Sequence, residues 1–154
     1  MLQSSDNLVT LIPGGGCKIG QMLDLARDIT TRFEANFFDM CIIQLGIVDC
    51  APRALPYNAR GKIDKFPKPL KQIAIVILHR IKPFIIKRLK YHQFTPIEEF
   101  STKFDALLKA VSTVCRRVVI IGIAPVKDSV IKQSPFIDTE IGRYNEIMSR
   151  LAGQ

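Results

Sequence analysis

The chain has 154 residues, of which 47% are hydrophobic and 23% charged, enough for one domain with a real core and too apolar for a disordered chain. Its four cysteines are irregularly spaced, with no Cys-x-x-Cys pair and no adjacent histidine, so they read as reduced structural thiols rather than a zinc site or a disulfide framework. The net charge of +8 is concentrated: eleven Lys and Arg lie between Arg53 and His92 with Asp64 as the sole acid, leaving the remainder near neutral.

Leu8 to Ile12 is a short apolar run that stops at Pro13-Gly14-Gly15-Gly16, which predicts a strand entering a loop. Ile19, Met22, Leu23, Leu25, Ala26, Ile29 and Phe33 then recur at helical spacing, with Asp24, Arg27, Asp28 and Arg32 on the other face. Met40 to Leu45 is the next predicted strand, ending in a loop from Gly46 to Pro52. Strand, helix, strand is the pattern of a parallel unit with a right-handed crossover. Residues 54 to 69 are proline-rich and polar, and predict an irregular stretch. From Leu70 helical character returns, with Pro83 expected to kink or divide the helix, so that about 54–94 reads as a basic helical insertion. Thr95-Pro96-Ile97-Glu98-Glu99 has the look of an N-cap followed by proline and first-turn acids, predicting a helix to about Val114. Val118 to Ile123 is a third strand, and Ile137 to Leu151 a last helix with Ile141, Tyr144, Ile147, Met148 and Leu151 turned inward. All three strands are expected to be parallel, with helices on both faces.

Met1 to Asp6 lacks the charged-then-apolar order of a secretory signal, and no apolar run reaches the roughly 18 residues that would suggest a bilayer-spanning segment, so a cytoplasmic location is expected.

The stretch Ile42-Ile43-Gln44-Leu45-Gly46-Ile47-Val48-Asp49-Cys50-Ala51-Pro52-Arg53 places Gly-x-x-Asp at the carboxyl end of a strand, where open α/β sheets handle ligands. It resembles the third block of the SGNH (GDSL-type) ester hydrolases, usually Gly-x-Asn-Asp, with Val48 at the asparagine position. Asn7 to Ile19 is similar to the second block of that family, Val119-Ile120-Ile121-Gly122-Ile123-Ala124-Pro125 to a later strand ending in proline, and Tyr144-Asn145 to the start of the helix before the last strand. The resemblance implies a three-layer α/β/α, flavodoxin-like domain acting on acyl or acetyl esters of a carbohydrate or lipid, without a cofactor. It makes Gly16, or next to it Gly15, the oxyanion glycine, whose backbone N–H would face the substrate oxygen with no side chain in the way. In the family a serine attacks the carbonyl, a histidine moves the proton, and the asparagine amide helps hold the oxyanion. Val48 has no donor to offer. The family serine motif, Gly-Asp-Ser, has no match here, since Ser4-Ser5-Asp6 has neither the strand nor the order. The Asp-x-x-His motif is unmatched too, because His79 and His92 follow Val76 and Leu89 by three residues. The chain therefore reads as the central part of such a domain, a fragment incomplete at both ends and inactive as given. Lack of the family's first strand is expected to leave a rearranged sheet or an unpaired strand edge.

Each candidate residue also has a plainer reading. Gly14-Gly15-Gly16 would suit a phosphate-cradling turn, yet it lacks the Gly-Lys-Ser/Thr ending and the dinucleotide spacing, which favours a strand-to-helix turn. Asp49 is a catalytic acid or, as favoured here, a carboxylate that caps its loop through backbone N–H groups. Arg53 either binds an anionic substrate group or is a solvated loop residue. Cys50 has no histidine to activate it. The basic stretch has no recognised nucleic-acid motif; its apolar face suits packing or an anionic membrane surface and its charge an acidic partner, with a solvated basic face as the plainer reading. The second functional reading is accordingly a non-catalytic module that docks through this insertion.

Overall fold

A computed structural model of the chain describes residues 16–56, 59, 65–89 and 91–153. The expected strand Leu8–Ile12 and Gly15 lie outside the described residues. Within them the fold is mixed α/β, with a two-stranded parallel sheet.

Helix α1 (Ile19–Arg32) turns Ile19, Leu23 and Ala26 inward, as their spacing requires. It stops where Phe33 goes extended, and Phe33, Phe37 and Phe38 then cluster with ring centroids 4.7 to 5.0 Å apart. Strand β1 (Cys41–Gln44) is followed by the single-turn helix α2 (Ile47–Cys50), which replaces the expected loop. Helix α3 (Lys68–Arg88) runs through Pro83 undivided, which corrects the expected division in two: the proline removes one N–H from the ladder without ending it. Helix α4 (Ile97–Val114) starts behind Pro96 and buries Phe100, Phe104, Leu107, Val111 and Val114. Thr95 does not cap it, because its hydroxyl is committed to Asp49. Strand β2 (Val118–Ile121) leads to the short helix α5 (Asp128–Gln133) and to helix α6 (Ile137–Ala152). Both strands are shorter than their apolar runs, which continue into the strand-end loops.

The strands pair in register from Cys41 with Val118 to Gln44 with Ile121. One face of the sheet is core. Ile43 is buried, and Val118 and Ile120 pack against the cluster formed by α1, α4 and α6. On the other face Ile42 is 61% exposed, Val119 37% and Ile121 43%. Helices on both faces were expected, but α3 packs against α5 instead of covering this side. Arg53 and His92 form an antiparallel bridge, each N–H donating to the other's carbonyl at 2.8 and 3.0 Å, so the excursion between them leaves and returns at the strand ends. No described helix is long and apolar enough to cross a membrane.

Candidate functional site at the strand ends

Gly46 makes the turn that ends β1. Its φ of 109° lies where a side chain is strained, and a Cβ there would stand 2.8 Å from Ile123 Cδ1. The turn starts α2, which carries Asp49 beneath the end of the sheet. Asp49 is fully buried. The Ile19 N–H, at the start of α1, donates to both carboxylate oxygens at 3.1 and 3.3 Å, and the Thr95 hydroxyl donates at 2.5 Å. The Phe94 N–H adds a bond of 3.2 Å to the Asp49 carbonyl. One carboxylate thus joins the end of β1, the start of α1 and the approach to α4, satisfying a helix N–H that has no partner within its own helix. Burial holds the Asp49 carboxyl above its ordinary range, against the Thr95 hydroxyl, the Ile19 N–H and the Lys18 and Lys103 charges, which lower it. The sequence favours a capping role for Asp49, but the backbone N–H it accepts belongs to the start of α1, 30 residues away, and not to its own loop.

The second anchor comes from α6. The Tyr144 hydroxyl donates to the Thr95 carbonyl at 2.5 Å. Asn145 clamps the backbone after β2: its Oδ1 accepts the Ile123 N–H at 2.7 Å and its Nδ2 donates to the Ile123 carbonyl at 2.9 Å. Gly122 leaves room for that clamp, since a Cβ there would be 3.2 Å from Asn145 Oδ1.

Gly16 has φ 77°, is exposed, and has open space where a Cβ would stand. Through the Ile19–Asp49 bonds the start of α1, three residues after Gly16, meets the turn after β1 that carries Gly46, Val48 and Asp49. Val48 is half-buried and brings no donor. Arg53 is not a solvated loop residue: its guanidinium carbon lies 3.6 Å from the Phe94 ring centroid, and Lys18 Nζ lies 4.0 Å from the same ring. Lys82 is held below its ordinary range by burial and then by the Arg53 charge. The result is a cationic, aromatic patch beside a buried carboxylate.

A nucleophile is harder to find. Cys50 is fully buried, its thiol donates to the Ile47 carbonyl at 3.6 Å, and burial, aided by Asp49 and Glu140, pushes it up to about 12. At neutral pH it is a thiol and not a thiolate. His79 is exposed on α3, and His92 is exposed in the bridge to Arg53. Among the described residues no group of three His, Cys, Asp or Glu could hold a metal ion. Two surface hollows, of 320 and 450 Å³, lie beside Gly20 and Lys103 and beside Tyr91 and Arg143. Asp49 lines neither.

Sequence reasoning missed Glu140. It is buried on α6 and accepts bonds from the Tyr91 hydroxyl at 2.7 Å, from Gln93 Nε2 and from Arg143 Nη1 at 2.9 Å. Only the Arg143 contact, three residues on along the helix, was visible as a spacing. Compared with models of known protein families, with curated proteins and with solved structures, the chain finds no match.

Proposed function

We propose that the chain is an SGNH-type α/β domain whose strand-end site does not hydrolyse esters on its own, and that its two described strands and the helical layer of α1, α4 and α6 are part of a three-layer flavodoxin-like plan whose other sheet face no described helix covers. The observation that carries this reading is the Asp49 junction. The Gly46-to-Asp49 turn, the start of α1 and, through Thr95, Tyr144 meet there, while Asn145 holds the Ile123 backbone after β2, and these are segments in which the sequence resembles that family. The substrate class of the reading is an acylated carbohydrate or lipid. Its chemistry stops at orientation and polarisation. Gly16 could offer a backbone donor to a carbonyl oxygen, but Asp49 is sealed from substrate, Cys50 stays protonated and Val48 replaces an amide. Loss of one oxyanion donor typically costs about a hundredfold to a thousandfold in rate, and loss of a serine and its base removes the covalent route.

The purified chain, given a short acyl nitrophenyl ester, should release nitrophenol no faster than a matched Cys50→Ala variant. Val48→Asn alone should not raise the rate, because an oxyanion donor assists only an attack that a nucleophile has begun. Robust turnover that disappears in Cys50→Ala would replace this reading with a thiol mechanism.

A further inference from the structure

Helix α3 carries an apolar row that the fold leaves uncovered. Leu70, Ile73, Ile77, Ile81 and Phe84 follow one another at steps of three and four residues and so stand along one side of a 21-residue helix. Each of them is 44 to 64% exposed. The helix meets the protein through another side, where Ala74, Leu78, Lys82 and Ile85 are half-buried and Ile86 is buried. Its charge has one sign. Lys68, Lys71, Arg80, Lys82, Lys87 and Arg88 are opposed by no Asp or Glu within the helix.

We propose that α3 is a membrane-surface element: it lies in the headgroup layer of an anionic bilayer, with the Leu70-to-Phe84 row at the acyl boundary and the exposed Arg80, Lys87 and Arg88 at the lipid phosphates. An exposed apolar row with Lys and Arg about it is the composition that seats a helix in this layer, and each cation near an anionic surface contributes roughly a fivefold factor in affinity. The same helix is not long and apolar enough to cross a membrane, which fits lying on one. Shape separates lipid from an acidic polypeptide. A helical partner needs a groove, whereas this row is a convex ridge and lines neither of the hollows beside Gly20 and Tyr91. Charge separates lipid from a second copy, since two such helices placed row to row would bring cations together with no carboxylate of either helix between them. The proposal is independent of the esterase reading and survives its failure.

The test uses the full chain and vesicles of phosphatidylcholine, with and without a phosphatidylserine fraction, in a co-sedimentation assay. Binding to the anionic vesicles should be at least about tenfold tighter and should weaken as salt is raised. The chain contains no Trp, so Phe84→Trp supplies a single indole whose emission should move to the blue only with anionic vesicles. Ile73→Gln combined with Ile77→Gln changes exposed positions only, should leave the circular dichroism spectrum intact, and should cost at least about tenfold in binding. Arg80→Glu, a separate variant, should also weaken it. Equal binding to both vesicle types, binding to neither, an unmoved indole spectrum, or indifference to both sets of variants would overturn the proposal. So would tighter binding to polyglutamate than to vesicles, which would indicate an acidic polypeptide. A vesicle-free dimer lost in the Ile73, Ile77 variant would indicate a second copy.

Discussion

Helices α3 and α4 carry apolar rows of nearly the same spacing, and only one of them is core. In α4, Phe100, Phe104, Leu107, Val111 and Val114 are all buried; in α3, Leu70, Ile73, Ile77, Ile81 and Phe84 all face outward. Composition does not explain the difference, because the exposed row is as apolar as the buried one. Position does. Helix α4 lies against α1, whose Ile19, Leu23 and Ala26 present a matching row, and it also packs on β2 and α6. Helix α3 belongs to an excursion tied at Arg53 and His92 and meets α5 through its other side. Periodicity decides which side chains share a face, while burial requires a second apolar face at packing distance.

The largest effect that would break this comparison is on stability. Phe104→Ala, at a fully buried position, should cost about 3–5 kcal/mol in urea unfolding, whereas Phe84→Ala should stay within about 0.5 kcal/mol. Similar losses in the two variants would mean that the α3 row is covered in solution. The next effect is at the strand end. Gly46→Ala should cost roughly 1–3 kcal/mol, from the left-handed backbone and the contact with Ile123, while Gly16→Ala, with a positive φ but open space, should cost about 1 kcal/mol. If the two cost the same, the Ile123 contact adds nothing to the strain.

The smallest effect is a slope with pH. Because burial raises the Asp49 carboxyl in the folded chain, the folded state holds that proton more tightly than the unfolded state does. The stabilisation is therefore complete below the unfolded value, about pH 4, and is lost as pH rises through the higher folded value. Between about pH 4 and 7 the parent chain should lose urea stability relative to Asp49→Asn. A parent that gains on the variant over this range would show that the bonds from Ile19 and Thr95 outweigh desolvation.

Local pattern was enough for the long elements. The apolar rows of α1, α4 and α6 are readable because neighbours three and four residues apart share a helix face, and the two strands are readable as short β-branched runs stopped by glycine or proline. The glycine at position 46 also announced a turn. The short helices α2 and α5 left no such pattern, since a single turn or two gives too few residues for a period to show. Tertiary structure alone decided the rest of the site. Thr95 serves Asp49 from 46 residues away instead of capping α4, Tyr144 reaches Thr95 across 49, and Asn145 clamps Ile123 across 22. Glu140 gathers Tyr91 and Gln93 from an equally distant segment. It also decided that Ile42, Val119 and Ile121 face outward. A sequence lists which residues can turn the same way, but whether a carboxylate finds donors or an apolar row finds cover depends on how segments far apart in the chain are packed, and that is set by the whole fold.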